Sequence, residues 1–376
     1  MSASLSGKHR RFGRQALDGA RLWTEQTSQR GGLLLSEGAA SCPLHLYFYD
    51  DGSDAEGAAA ATRRLLSEDR VDLLLGPYSS GLTLAAARVA EQFQRVLWNH
   101  GGAADTIYEQ GFAWTVGILS PASRYFVGAL DLVRSLDPTA RRVALVGAVG
   151  SEFASAVLAG VEARAAETGF EVVLRGDHGA SGSGLNDFLQ SVRRCRPDLV
   201  LVAGSFEQDV NLAQALRTVN HDAHAIGLVA AGVDEFGQRL GGQAAGYLGP
   251  SQWEPAPAER PEVGPSAAEV AGLLRGREGR RADYPAAQAY AAGLVMQHCV
   301  EVAGTLDPLR LREIAGALDF STFYGRFRID PVTGRQVGHE VLIVQWQGMS
   351  KRVVWPPRVA ETAARYPVGG SGEQRW

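Results

Sequence analysis

The amino-acid sequence predicts an α/β protein whose βα units are wound into parallel sheets, and three observations lead there. Short apolar runs alternate along the chain with longer segments of helical period. Turn residues separate each run from the helical segment that follows. The 376 residues, 45% of them apolar, can bury a large core organised as two domains or one large one.

In chain order, the clearest strands are expected at 44–49, 71–75, 143–147, 171–174, 198–203 and 225–229. Between 81 and 94, Leu82, Ala85, Ala86, Val89, Ala90 and Phe93 recur at the spacing of one helix face. Such a helix packs on a sheet. The segment 285–303 repeats the pattern with Tyr290, Ala291, Leu294, Val295, His298, Cys299 and Val302, so His298 and Cys299 are expected on a core-facing stripe rather than as ligands. The proline-rich stretch 253–265 reads as an irregular crossing, and the chain beyond 358 as a disordered tail.

Several function classes are excluded. A net charge of −4 gives neither nucleic acid nor an anionic membrane surface an electrostatic handle. The clusters 8–11 and 275–281 have no interleaved aromatics and read as solvated surface. Lys8 and Lys351 are the only lysines among many arginines, which reads as codon bias. Cys42, Cys195 and Cys299 form neither a CxxC pair nor a disulfide framework. His221 and His224 have ligand spacing but no third partner in view, so no metal is expected. No run reaches the roughly 18 to 20 apolar residues that span a bilayer. GxSxG, GxxxxGK[ST], HExxH and post-strand GxGxxG motifs are missing, and no enzyme or cofactor is expected.

Ligands of open α/β sheets sit at the carboxyl ends of strands. The strongest candidate is the turn GPYSSG at 76–81, which sets Ser79 and Ser80 at a helix N-terminus beside Tyr78. Free N–H groups and hydroxyls there can hold a carboxylate, or a serine can simply cap its own helix. After the next strand come Asn99 and His100 as polar contacts, with Gly101, Gly102 and Ala103 allowing close backbone approach or merely making a turn. Further on, Phe153 and Ser205-Phe206 follow strands, where an aromatic ring can cover a ligand or pack in the core.

Five segments in order, LSGKHRRFGRQALDGARLW, LYFYDDGSDAEGAAAATRRLL, LLLGPYSSGLTLAAARVAE, ADYPAAQAYAAGLV and FYGRFRIDPVTGRQVGHEVLIVQWQ, resemble the extracellular ligand-binding receptors typified by the leucine/isoleucine/valine-binding protein. The correspondence runs from Leu5 to about Pro357. It implies a type I periplasmic binding protein fold: two doubly wound parallel-sheet lobes joined by three crossovers, 1–118 with 254–326 and 119–253 with 327–358. It further implies a non-catalytic receptor, monomeric or weakly dimeric, that closes around a small molecule for an ABC transporter permease outside the cytoplasm. The alternative is a cytoplasmic ligand sensor of the same fold, such as an amide-responsive regulator of a partner protein. By resemblance the carboxylate-holding position falls on Ser80, with Tyr78 and Ser79 beside it and a second loop at Gly101 to Ala103. The other lobe would contribute Tyr125, Phe153, Ser205 or Phe206, and Ala231.

Two departures from the family pattern matter. Where amino-acid binders place an acid for the ligand's ammonium, this chain reads Val229-Ala230-Ala231-Gly232. An unpartnered buried ammonium costs several kcal/mol. The reading therefore favours a carboxylate without an amine, an aromatic acid or a small amide, unless Glu207 or Glu152 substitutes. The second departure is the start, which leaves only residues 1–5 for the first strand and no export signal, so the native product is expected to begin upstream.

Overall fold

The computed structural model describes residues 1–35, 41–178, 183–218, 223–255, 260–278 and 283–367. The chain divides into two compact units, Met1–Pro121 with Pro257–Glu340, and Ala122–Ala256 with Val341–Trp376, and so passes between them three times.

The first unit opens with β1 (Ser2–Ala3), α1 (Arg10–Gln29), β2 (Tyr49–Asp50), α2 (Ala55–Ser67), β3 (Leu74–Leu75), α3 (Ser80–Phe93), β4 (Leu97–Asn99) and β5 (Thr115–Gly117). β1 pairs in parallel with β2, and β3, β4 and β5 form a second parallel sheet. The regular strands are shorter than the apolar runs suggested, since only Tyr49 of 44–49 and Leu74–Leu75 of 71–75 are paired. Hydrophobicity reports burial, and burial extends beyond the hydrogen-bonded ladder. The expected face of α3 is largely in place: Ala86, Val89 and Ala90 pack with Leu65, Leu66, Leu74 and Leu97, while Phe93 stays 37% exposed.

In the second unit come α4 (Val127–Leu136), β6 (Arg142–Ala148), α5 (Glu152–Thr168), β7 (Glu171–His178), α6 (Ser183–Cys195), β8 (Leu199–Ala203), α7 (Phe206–Thr218), β9 (Ala225–Leu228), α8 (Asp234–Leu240) and β10 (Leu248–Ser251). The chain then returns to the first unit for α9 (Ala267–Glu278), α10 (Tyr284–Ala303), α11 (Pro308–Ala317), β11 (Phe320–Thr322) and β12 (Gly325–Phe327). It closes in the second with β13 (Leu342–Gln347) and β14 (Ser350–Trp355). The second unit's sheet runs β14-β13-β10-β9-β8-β6-β7. It is parallel from β7 to β10, whereas β13 and β14 join antiparallel, so this sheet is mixed rather than wholly parallel. A two-residue turn between β13 and β14 permits only the antiparallel hairpin.

Residues 327–340, expected with the second lobe, stay with the first unit. Hydrogen bonds of Gly117 N–H to Gly334 O (2.8 Å), Gln336 Nε2 to Ile118 O (3.2 Å) and Arg312 Nε to Ala113 O (2.7 Å) fasten them there. The expected tail is also ordered as far as residue 367: Arg365 N–H donates to Gln345 Oε1 (2.8 Å) and Tyr366 OH to Asp137 Oδ2 (3.1 Å). Its remainder, like the middle of the 253–265 crossing, lies outside the described residues.

α10 is buried almost all round rather than along a stripe. His298 lies edge-on to Phe320 at 4.5 Å and Cys299 is fully buried, both in packing roles, while Val302 is exposed. Burial lowers the pKa of His298 and raises that of Cys299. Among the described residues, no helix is long and apolar enough to cross a membrane, and no three His, Cys, Asp or Glu side chains gather as a metal site. His221 lies outside that set, and His224 meets Tyr366 OH at 3.2 Å.

Candidate functional site

In the first unit the turn after β3 and the turn after β4 are bound to each other. Ser79 N–H donates to Gly101 O (3.0 Å), and Ser80 Oγ accepts from the N–H groups of Ala103 (3.2 Å) and Ala104 (3.0 Å). A Cβ at Gly101 would stand 2.3 Å from the Pro77 carbonyl oxygen, so only glycine lets the turns approach this closely. Both lone pairs of the Ser80 hydroxyl are thereby occupied, and its proton remains to be donated. Thr83 N–H bonds to Ser79 O, and no acceptor among the described residues takes the N–H groups of Ser80, Gly81 or Leu82. Three free amides, one hydroxyl proton and the positive end of a 14-residue helix thus converge on one spot.

Ser79 does not cap α3 with its side chain. Its backbone sits at φ +89°, ψ 149°, a conformation that costs a non-glycine residue about 1–3 kcal/mol. Ser79→Gly is therefore expected to stabilise the protein by up to about 1 kcal/mol in denaturant titration, after glycine's extra chain entropy is offset.

The structure gives two of the polar candidates other roles. Asn99, fully buried, donates to Gly102 O (2.7 Å) and Tyr108 OH (2.9 Å) and accepts from the N–H groups of Gly101 (3.1 Å) and Gly102 (2.8 Å). It shapes the loop and has no valence left for a ligand. His100 is also fully buried, with the Gly76 backbone as a weak polar neighbour, and burial brings its pKa down to about 4. Tyr78 stacks on Phe12 at 5.1 Å and meets the edge of His9 at 6.2 Å. Phe12 and His9 were missed because the sequence separates them from Tyr78 by more than 60 positions, although the LSGKHRRFG motif drew attention to their segment.

In the second unit the strand order reverses at β6, since β7 lies on one side of it and β8 on the other. The carboxyl ends of β6 and β8 therefore flank a topological switch point. Phe153 enters α5 there, and its ring meets Tyr125 edge-on at 5.1 Å. Burial pushes the Tyr125 phenol up to about 12, against a hydrogen bond with Gln252 that lowers it.

Ser205 caps α7 with its side chain. Its N–H donates to Gln208 Oε1 (2.9 Å), and Gln208 N–H returns a long bond to Ser205 Oγ (3.4 Å), a capping box. Phe206 lies beneath Arg239 at 6.0 Å and against the core. Ala231 is fully buried, and its carbonyl accepts from Trp346 Nε1 (2.9 Å), so it offers no side-chain contact. Among the described residues, no hydrogen bond or ring contact links the Tyr125–Phe153 pair to Ser205, Phe206 or Ala231.

Sequence reasoning also missed Asp209. Fully buried in α7, it accepts from Gly204 N–H (2.8 Å) and Ala230 N–H (2.9 Å), tying the loop after β8 to the loop after β9. Burial outweighs these bonds and raises its pKa from 3.8 to about 7. With the folded value above the unfolded one, its contribution to stability is full below about pH 4 and is lost as pH rises through about 7. Thermal denaturation should accordingly show wild type losing stability relative to Asp209→Asn across that window, with a constant difference above it.

The acids near the end of β9 are already partnered. Glu207 forms a two-pronged pair with Arg239 (3.0 and 2.9 Å), and Asp234 pairs with the buried Lys351 (2.9 Å). Glu152 stands in the first turn of α5 and is engaged within the protein.

A family model described as periplasmic binding protein matches residues 1–351. Among solved structures, the chain is similar to a leucine binding protein from Thermotoga maritima, at 19% identity over 94% of this chain and 96% of that one, with a TM-score of 0.79. It is similar to a branched-chain amino acid transporter substrate binding protein from Streptococcus pneumoniae in complex with isoleucine, at 18% identity, 94% and 98% coverage and TM-score 0.77. A third is a solute binding protein of an ABC transporter from Rhodopseudomonas palustris in complex with 3,4-dihydroxybenzoic acid, at 17% identity, 92% and 91% coverage and TM-score 0.75. At these identities the likeness shows the fold.

Proposed function

This chain belongs to the periplasmic binding protein family, and from that premise we propose that it is the receptor of an ABC importer, binding a small carboxylate that carries no ammonium group. The observation that carries the ligand class is the donor set at the start of α3. The Ser80 proton and the amides of Ser80, Gly81 and Leu82 all donate, which suits an anionic oxygen. Tyr78, stacked on Phe12 beside this turn, supplies aromatic surface in the same unit.

An amine would need an anionic partner, and Glu207 and Asp234 are held by Arg239 and Lys351. The family's known members are solute-binding proteins, not enzymes. Accordingly the chain acts by differential affinity, favouring the ligand-closed state that a membrane permease recognises outside the cytoplasm.

A thermal-shift panel of benzoate, 3,4-dihydroxybenzoate, acetate, acetamide, leucine and valine tests this reading. One of the aromatic carboxylates should raise Tm in a concentration-dependent way. Stabilisation by leucine or valine, abolished by Glu207→Ala, would instead establish an ordinary amino-acid receptor with a substitute acid.

A further inference from the structure

The chain leaves the first unit at Pro121 and again at Glu340, and the segments approaching these two points are zipped together. Gly117 N–H bonds to Gly334 O, Gln336 Nε2 bonds to Ile118 O, and one step before each exit Ser120 meets His339. Ser120 is fully buried and His339 is 8% exposed. The Ser120 Oγ lies 2.7 Å from His339 Nδ1 and 2.9 Å from the His339 carbonyl oxygen. The other ring nitrogen, Nε2, is 3.1 Å from the Tyr324 carbonyl oxygen, and Tyr324 stacks on the imidazole at 4.6 Å. Gly325 makes room for the ring, since a Cβ there would stand 2.8 Å from His339 Cδ2.

The donor and acceptor inventory allows two arrangements. A carbonyl can only accept, so Nε2 carries a proton in both. With the ring neutral, the single Ser120 hydroxyl proton goes to Nδ1 rather than to the His339 carbonyl. With the ring protonated, Nδ1–H donates to Ser120 Oγ, and the hydroxyl turns to donate to the carbonyl. One proton therefore adds one hydrogen bond between Ser120 and His339, on the two departing segments.

We propose that Ser120 and His339 form a proton-sensitive clasp that binds the two exits of the unit more tightly when the imidazole is charged. Among the described residues, the charged or titratable groups near it include Tyr324, stacked on the ring; Arg326, held by Asp319 at 2.6 Å; Arg328, against which Gly338 lies; and Glu340, next in the chain. The clasp's consequence for ligand-driven closure rests on the receptor reading, but its existence does not.

Hydrogen–deuterium exchange of the full chain without ligand, corrected for intrinsic rates, tests it at pH 5.5 and pH 7.5. Amides in 115–120 and 334–341 should exchange about tenfold more slowly at the lower pH, a change absent from the β13–β14 hairpin. Ser120→Ala and His339→Gln should each abolish the difference, and Ser120→Thr, which keeps the hydroxyl, should restore it. Equal protection at both pH values in wild type, or a difference that survives Ser120→Ala, overturns the clasp. No ligand is present, so such a failure leaves the receptor reading standing.

Discussion

Replacing Ser80 with alanine is expected to weaken binding of the stabilising carboxylate about 10- to 100-fold and to destabilise the first unit by about 1–3 kcal/mol. The binding loss follows from the removed hydroxyl proton, a hydrogen bond to a charged acceptor. The stability loss follows from the amides of Ala103 and Ala104, which converge on Ser80 Oγ and would lose their acceptor. Threonine should retain most of the affinity and most of the stability, because its hydroxyl can take the same place. Isothermal titration calorimetry and urea denaturation on the same three proteins separate the two losses. Unchanged affinity in Ser80→Ala would move the ligand's carboxylate away from the α3 N-terminus.

Lys351→Met should destabilise the second unit by about 3–5 kcal/mol, the cost of orphaning buried charge. Lys351, 3% exposed on β14, reaches Glu254 at 2.7 Å and Asp234 at 2.9 Å and donates to Gly232 O at 2.9 Å. Ser251 Oγ donates to the same Glu254 oxygen at 2.9 Å. Three donors on a compact ammonium meet three acceptors approaching from different elements, a match that a planar guanidinium makes poorly. The deficit should shrink as pH falls, because protonating the orphaned carboxylates removes the buried charge. Combining Lys351→Met with Glu254→Gln should recover part of the loss at neutral pH. Equal stability of Lys351→Met and wild type in thermal denaturation across that pH range would show that the network contributes nothing net.

Lys351 also illustrates how far the sequence could be read. The near-absence of lysine looked like codon usage, and nothing local to position 351 distinguishes a buried ammonium from a surface one. Only the approach of β14 to Glu254 and Asp234 reveals the role. The same holds for Asn99 and His100. Their position after a strand suggested ligand contacts, yet the fold buries both: the loop's own amides take Asn99 as their acceptor, and the His100 ring is enclosed with neither nitrogen hydrogen-bonded among the described residues. Asp209 and the Ser120–His339 pair left no trace in the sequence pattern, since their partners lie 5 to 219 positions away and no periodicity connects them.

What the sequence determined by itself was the alternation of βα units, the apolar face of α3, the packing roles of His298 and Cys299, and the turn that brings Ser80 to a helix start. Each depends on residues a few positions apart, where hydrophobic period and turn chemistry act directly. Tertiary structure alone decided which valences remain open: the Ser80 proton is free because Ala103 and Ala104 fill its lone pairs, and the acids near β9 are committed because arginine and lysine reach them from other elements. Hydrogen bonds and ion pairs are short-ranged in space and indifferent to separation along the chain, so the state of a donor or acceptor is settled only once distant segments have met.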